Sequence, residues 1–435
     1  MPRGGGEGLG FRAVRALMRL LLWVFYRRID VVGLEHFPGD GGVIIAANHH
    51  NSIIDAMLVI AVSPRRPRQL ANAPLFRHPL IGPFLRLLGA LPVHRRQEAG
   101  DDPRKNDALF EATTRTLRAG GAIMIFPEGR TQPEPVLLEL RTGAARMMLA
   151  ARPADVMLLP AGLVFRQPGV FREGEALVVF GPPVPTAGCD DPAEITERLG
   201  KALRELIVEA ESLDTLRLLE NAERIWSAAD DVRQAPDERR RWLRQAAQRY
   251  RVLAAAHPQR LADYVRRLQA FMDELDAAGL SPRGLRAPRS ARPAVRFALR
   301  QTLALLVGAP LALCGFVLHG LPYALVGLAV AVIPHTAEEE ATDKIAAGLV
   351  LYPLAWAVEG WLAWHFLGPI GFVVWAIVLV PSGFIALSWR ERLARVEREI
   401  RGFARMVRDP GLLMRLRRQH LELARELKLL AEGSR

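Results

Sequence analysis

Two stretches of this chain, 301–334 and 345–389, are almost free of charge, and they limit what the rest can fold into. Glu359 is the one ionisable carboxylate inside them, and no Lys or Arg falls there. Runs of this composition must be covered by protein or by lipid, and a helical crossing of a bilayer takes about 20 apolar residues. The first run is interrupted at His319-Gly320-Leu321-Pro322 and the second at Gly368-Pro369, so each reads as a hydrophobic hairpin. Arms such as 321–334 are short for a full crossing, which leaves re-entrant hairpins and four crossings both open. Arg289, Arg292, Arg296 and Arg300 precede the first hairpin, and Arg390, Arg392 and Arg395 follow the second. Positive flanks at both ends favour the cytoplasmic side for both, hence an even number of crossings or none in the cytoplasmic membrane. A carboxylate inside such a run normally faces protein, a partner or water, so Glu359 reads as such a residue or as one near a hairpin's polar edge.

The remainder is globular in composition and rich in arginine, with a formal net charge of +12 over 435 residues. That length allows two or three folded units. A basic excess suits nucleic acid, anionic lipid or a phosphorylated substrate. No zinc-ligand spacing, aromatic platform or recognition helix is evident, so nucleic acid is not expected as a partner. The two cysteines, Cys189 and Cys314, show no motif spacing, which argues against a structural disulfide. No cleavable signal peptide is evident, because Arg12, Arg15 and Arg19 interrupt the first apolar stretch.

Residues 11–28 have helical periodicity, with the three arginines on one face and Leu17, Leu20, Leu21, Val24 and Phe25 largely away from it. That pattern predicts a helix lying on anionic lipid, or alternatively one packed on its own domain. Residues 29–188 alternate β-like runs (43–47, 90–93, 122–126, 156–165 and 176–180) with helical stretches (54–62, 107–119 and 141–151), which argues an α/β layer structure. Residues 189–295 read as a helical subdomain, opened by Asp191-Pro192-Ala193-Glu194 with Asp as N-cap. The hairpins occupy 296–389, and 390–435 reads as a charged helical tail.

The strongest local signal is Asn48-His49-His50-Asn51-Ser52-Ile53-Ile54-Asp55, directly after the run 43–47. On one continuous helix His50 and Asp55 would be turned about 140° apart. Across a strand-to-helix turn they can meet, with Ser52 at the helix start and Asp55 in its first turn. The carboxylate would then hold the imidazole in one tautomer and leave its other nitrogen free as a base. From the residues alone, a metal site from His49, His50 and Asp55 and a nucleophilic Ser52 stay open. Two further segments bear on the choice. Gly89-Ala90-Leu91-Pro92-Val93-His94-Arg95 is a strand with a cationic tip, and Phe126-Pro127-Glu128-Gly129-Arg130-Thr131 is a tight loop at a strand's end. Ligands gather at such strand ends, and Arg95 and Arg130 carry guanidinium forks suited to phosphate.

The order of these pieces resembles the glycerolipid acyltransferase family, which includes lysophosphatidic acid and glycerol-3-phosphate acyltransferases. The blocks that carry the likeness are Asn48–Asp55 (with one extra His before His50), Gly89–Arg95, Phe126–Gly129 and the apolar strand 158–165. It covers roughly residues 28–185. The resemblance implies His50 as general base, Asp55 as its orienting partner, Arg95 as a phosphate ligand, and Glu128 with Gly129 in acceptor binding. Arg130 precedes Thr131 here, whereas the family has Thr before Arg, so this chain departs from the pattern at the residue implied as a further phosphate ligand. Arg141 and Gly143 resemble a basic-x-Gly segment that follows. The C-terminal half resembles, more weakly, fungal-type glycerol-3-phosphate or dihydroxyacetone-phosphate acyltransferases, with a polar loop at 334–345 between hairpins. The implied reaction moves a fatty acyl group from acyl-CoA or acyl carrier protein to glycerol-3-phosphate or a lysophospholipid, with no cofactor and no metal. The rivals are a non-catalytic lipid-binding membrane protein and a lipid hydrolase.

Overall fold

The computed structural model describes residues 8–77, 81–94, 106–167, 169–285, 291–333, 336, 339–409 and 411–432. The chain divides into two compact units. The first comprises Met1–Leu213, Ala235–Arg244 and Thr336–Thr342. It contains α1 (Leu9–Phe25), β1 (Arg28–Val32), β2 (Gly42–Ala47), α2 (Ser52–Val62), β3 (Pro67–Asn72), α3 (Ile81–Leu88), β4 (Leu91–Val93), α4 (Asn106–Arg118), β5 (Ala122–Ile125), α5 (Gly143–Ala150), β6 (Val156–Arg166), β7 (Glu175–Phe180) and α6 (Pro192–Leu206).

The sheet has seven strands in the order β1-β7-β6-β2-β5-β3-β4. All neighbours pair parallel except β6 and β7. Helices cover both faces of the central strands, which is why every residue of β2 is buried and why it reads as a continuous apolar run. The expected α/β architecture is therefore present, with two strands beyond those read from sequence. β1 opens with Arg28 and contains Asp30, and β3 runs Pro-Arg-Gln-Leu-Ala-Asn. Their polar residues hide the strand signal because both strands lie away from the sheet's centre.

Two expectations about the first unit change. α6, expected to open a separate helical subdomain at 189, packs into the α/β core through Ile195, Leu199 and Leu203. Its start is as expected, with the Asp191 carboxylate accepting from the Ala193 N–H at 2.9 Å. α1 packs on its own domain: Arg12 and Arg19 stay exposed and Arg15 is half-buried. Phe11, Val14, Leu22 and Phe25 are buried, and Arg15 and Arg19 donate to the Ser63 and Ala61 carbonyls at the end of α2. Unsatisfied carbonyls at a helix C-terminus are a favourable place for a cation. The exposed part of α1 also carries Leu9, Leu20 and Trp23.

The second unit comprises Asp214–Gln234, Gln245–His335 and Asp343–Arg435. It holds α9 (Pro258–Ala278), α10 (Ala291–Val332), α12 (Leu412–Glu432) and all but the first residues of α7 (Leu213–Ala229) and α11 (Glu340–Arg408), while α8 (Pro236–Ala256) contributes to both units. α9 and α12 are tied by Arg267, which grips both carboxylate oxygens of Glu426 at 2.8 and 2.7 Å. α10 and α11 each contain a run long and apolar enough to cross a membrane, and most of it is exposed rather than buried. α11 breaks at Gly368 (φ 70°, ψ −171°), where Gly368-Pro369 predicts it. The other expected break falls inside α10, which stays helical through Pro322. α11 continues to Arg408, so the charged tail begins within a helix and not at a boundary after Trp389.

Small residues join α10 to the later arm of α11. A Cβ on Gly315 would lie 2.2 Å from the Ser382 carbonyl oxygen, so the two backbones touch there. His319 Nε2 lies 2.9 Å from the Leu379 carbonyl, and Trp389 Nε1 donates to the Leu305 carbonyl at 2.9 Å. Glu359 faces Trp375, whose indole N–H donates to it at 3.4 Å, so this carboxylate has a protein partner.

Candidate active site

The site forms where two parallel neighbours end together. Ala46 of β2 pairs with Ile125 of β5, so the segments beginning at Asn48 and Phe126 leave the sheet side by side. Asn48 turns towards β6 and continues the ladder with its side chain. Its Nδ2 donates to the Leu163 carbonyl at 2.9 Å and its Oδ1 accepts from the Leu163 N–H at 2.7 Å. With Asn48 fixed on that side, the next side chain, His49, emerges on the other. There it stacks on Phe126, with ring centroids 4.0 Å apart and planes 10° from parallel.

Asp55 is fully buried in the first turn of α2. Its Oδ2 accepts from His49 Nδ1, from the His50 N–H and from the Asn51 N–H, each at 2.8 Å. The expected ring partner therefore changes: Asp55 holds the imidazole of His49, and of His50 it holds only the backbone. The reason is local. A residue whose own N–H points at the carboxylate sends its side chain elsewhere, and His50 Nδ1 lies 3.1 Å from the Gln132 carbonyl. The preceding residue is free to reach over the turn. Asp55 can only accept here, so Nδ1 of His49 carries the proton and Nε2 carries the lone pair. Ser52 takes φ 44°, a left-handed conformation that a non-glycine residue adopts only when its surroundings enforce it.

Glu128 supports this turn from the other strand. One carboxylate oxygen accepts from the His49 N–H at 2.7 Å and the other from the Leu138 N–H at 3.0 Å. Burial pushes its carboxyl above the usual range, opposed by those two N–H groups and by the neighbouring histidines. Both oxygens are thus committed to backbone, which fits placing His49 better than grasping a substrate. Gly129 has φ 73°, and a Cβ there would sit 2.6 Å from Nε of Arg141. Glycine is needed both for the turn and for the room that the Arg141 guanidinium occupies. Arg141 is anchored by its N–H to the Pro127 carbonyl at 2.8 Å. Arg130 and Arg141 are exposed, and neither has a side-chain hydrogen bond or ion pair among the described residues. Arg95 lies outside the described residues.

The alternatives left open by the sequence can be weighed against this geometry. No group of three His, Cys, Asp or Glu side chains that could hold a metal is found among the described residues. Ser52 Oγ makes no hydrogen bond to either imidazole among them, so a serine nucleophile lacks its base. One contributor has no sequence signal of its own. Tyr26 is joined to Asn51 by a hydrogen bond of 2.8 Å beneath the turn, and only the fold brings the two together. The spacing that would have favoured His49 was legible only to a reader who knew that Asn48 is turned towards β6.

An acyltransferase family model matches residues 28–164. The chain is 26% identical over 186 residues to the 1-acyl-sn-glycerol-3-phosphate acyltransferase of Bacillus subtilis, covering 41% of this chain and 87% of that protein. It is 23% identical over 193 residues to the human 1-acyl-sn-glycerol-3-phosphate acyltransferase alpha, covering 43% of this chain and 66% of that one. It is 30% identical over 135 residues to glycerol-3-phosphate O-acyltransferase 2 of Saccharomyces cerevisiae, covering 28% of this chain and 18% of that one. All three matches leave more than half of this chain uncovered. Residues 28–164 match the acyltransferase family model, and over that part the chain is similar to proteins named as acyltransferases of glycerol-phosphate substrates.

Proposed function

We propose that this chain acylates a hydroxyl of glycerol-3-phosphate or 1-acylglycerol-3-phosphate at a membrane surface, with an acyl thioester of coenzyme A or of acyl carrier protein as donor. The observation that carries the reading is the His49–Asp55 pair at the end of β2, beside the Phe126–Gly129 loop. His49 Nε2 takes the proton of the acceptor hydroxyl as that oxygen attacks the thioester carbonyl. Asp55 holds the imidazole in the needed tautomer and stabilises the imidazolium that forms. The tetrahedral oxyanion collapses, the C–S bond breaks, and the thiolate takes the proton back from His49. The acyl group is never on the protein, and no cofactor enters this scheme.

The acceptor's phosphate falls to the guanidinium groups of Arg130 and Arg141, on either side of Gly129 in the loop after β5. Forked donors without carboxylate partners among the described residues suit a phosphate dianion. Arg95 is kept as a further phosphate ligand on the resemblance alone. Glu128 is assigned the placing of His49 in preference to acceptor contact. The exposed Leu9, Leu20 and Trp23 of α1 and the apolar runs of α10 and α11 support attachment to a bilayer. The arginine flanks of those runs favour a catalytic domain on the cytoplasmic side.

The decisive experiment uses the purified full chain in lipid, labelled acyl donors and a panel of acceptors. His49→Ala should lower turnover by about 10²–10⁴, the usual worth of a general base, while His50→Ala lowers it far less. The reverse order would return the role to His50, and transfer undiminished in both would leave a lipid-binding protein without this chemistry.

A further inference from the structure

The catalytic turn is held from below by a side chain outside every motif. Tyr26 follows α1 as its C-cap and is 1% exposed, and Asn51 is 2% exposed. Asn51 Nδ2 donates to Tyr26 Oη at 2.8 Å, and the Asn51 N–H donates to Asp55 Oδ2 at 2.8 Å. The phenol ring has little freedom. It packs edge-on to Phe25 at 5.2 Å and against Phe165 at 6.2 Å, and a Cβ on Gly174 would lie 3.0 Å from it. The next residue is fixed as well, since the Arg27 N–H donates to the Gly174 carbonyl at 2.8 Å. Asn51 precedes Ser52, whose φ of 44° needs an outside constraint to persist.

We infer that Tyr26 is a positioning residue for the reaction, acting through Asn51 to hold the strained turn on which Asp55 orients His49. This rests on the reading of His49 as the base. The hydroxyl fixes the Asn51 side chain. Asn51 in turn fixes the N–H that completes the trio on Asp55 Oδ2, and that oxygen decides where the His49 ring points. Burial holds the phenol above its ordinary pKa, so it stays neutral and offers the same acceptor oxygen across the working range.

The test is Tyr26→Phe, which keeps the packed ring and removes only the hydroxyl. Turnover should fall roughly tenfold to hundredfold, as expected of a misplaced catalytic group, with both KM values and the amount bound to vesicles unchanged. A merely structural tyrosine would lower only the amount of folded protein and leave turnover per folded molecule unchanged. Asn51→Ala approaches the same link from its other end and should give the same effect, and the double variant should lose no more than the worse single one. Tyr26→Phe with normal turnover per folded molecule, or losses that multiply in the double variant, overturns the inference. His49→Ala separates the two levels: if it stays active the reading of the base fails, whereas a dead His49→Ala beside a normal Tyr26→Phe sinks the positioning role alone.

Discussion

The end of β2 and the packing of α10 on α11 obey opposite burial rules. Around the catalytic turn the side chains removed from solvent include Asn48, Asn51, Asp55 and Glu128, each with hydrogen-bond partners. Along α10 and α11 the exposed side chains are apolar, with Val307 74% and Ile370 80% exposed, and the close contacts are made by glycine and serine. The difference is one of solvent. In water, burying a polar group is tolerable only when it is paired, and the pairing specifies one geometry. In lipid, apolar surface gains nothing by turning inwards, so helices associate where small residues let backbones approach. The first region is therefore sensitive to loss of a single hydrogen-bonding atom and the second to gain of a single methyl group.

The largest effect should come from Asp55→Asn. The amide oxygen can still take the three donors that Oδ2 accepts, but a neutral side chain cannot stabilise the imidazolium that forms on His49 during the reaction. Turnover should drop about a hundredfold or more, with the folded protein recovered in normal amount. Turnover close to that of the unaltered protein would show that the polar network is architectural only, and would erase the contrast with the hairpins.

A smaller effect is expected at Arg141. Arg141→Ala should raise the acceptor KM about tenfold, the worth of one charge-assisted hydrogen bond, and leave the donor KM unchanged. Measured with glycerol-3-phosphate and with a non-phosphorylated analogue, the loss should appear only with the first. A change confined to the donor would move Arg141 to the thioester's side of the site.

The smallest effect sharpens the other half of the comparison. Gly315→Ala places a methyl group 2.2 Å from the Ser382 carbonyl oxygen, whereas a Cβ on Gly320 meets nothing within 4 Å. Gly315→Ala should destabilise the protein in detergent by about 1–3 kcal/mol, the usual range for overpacking, while Gly320→Ala should be neutral. Equal thermal melts for the two variants would show that α10 and α11 do not depend on this contact.

Much of the candidate site was legible because its parts follow strands directly. The apolar runs of β2, β5 and β6 are buried on both faces and stand out in the sequence, and the polar blocks after β2 and β5 are thereby placed at adjacent strand ends. The role of Glu128 was less accessible. A glutamate in a Pro-Glu-Gly loop looks like a ligand-binding group until its two oxygens are found on the His49 and Leu138 N–H groups. The choice between His49 and His50 could not be made by counting from Asp55, because a turn that includes a left-handed Ser52 has no fixed periodicity.

What the sequence determined by itself was the division into an α/β part and long apolar helices, the acyltransferase blocks and the presence of a His–Asp pair. Those follow from composition, hydrophobic period and the order of short motifs, all of which are local along the chain. What the tertiary structure alone decided were contacts between residues distant in sequence: Arg15 and Arg19 on the end of α2, α6 in the core, Tyr26 beneath Asn51, and Gly315 against Ser382. Each depends on which face a residue presents once its element is packed, and one step along a strand or turn reverses that face. Adjacent residues such as His49 and His50 can share every local propensity and still point to different partners.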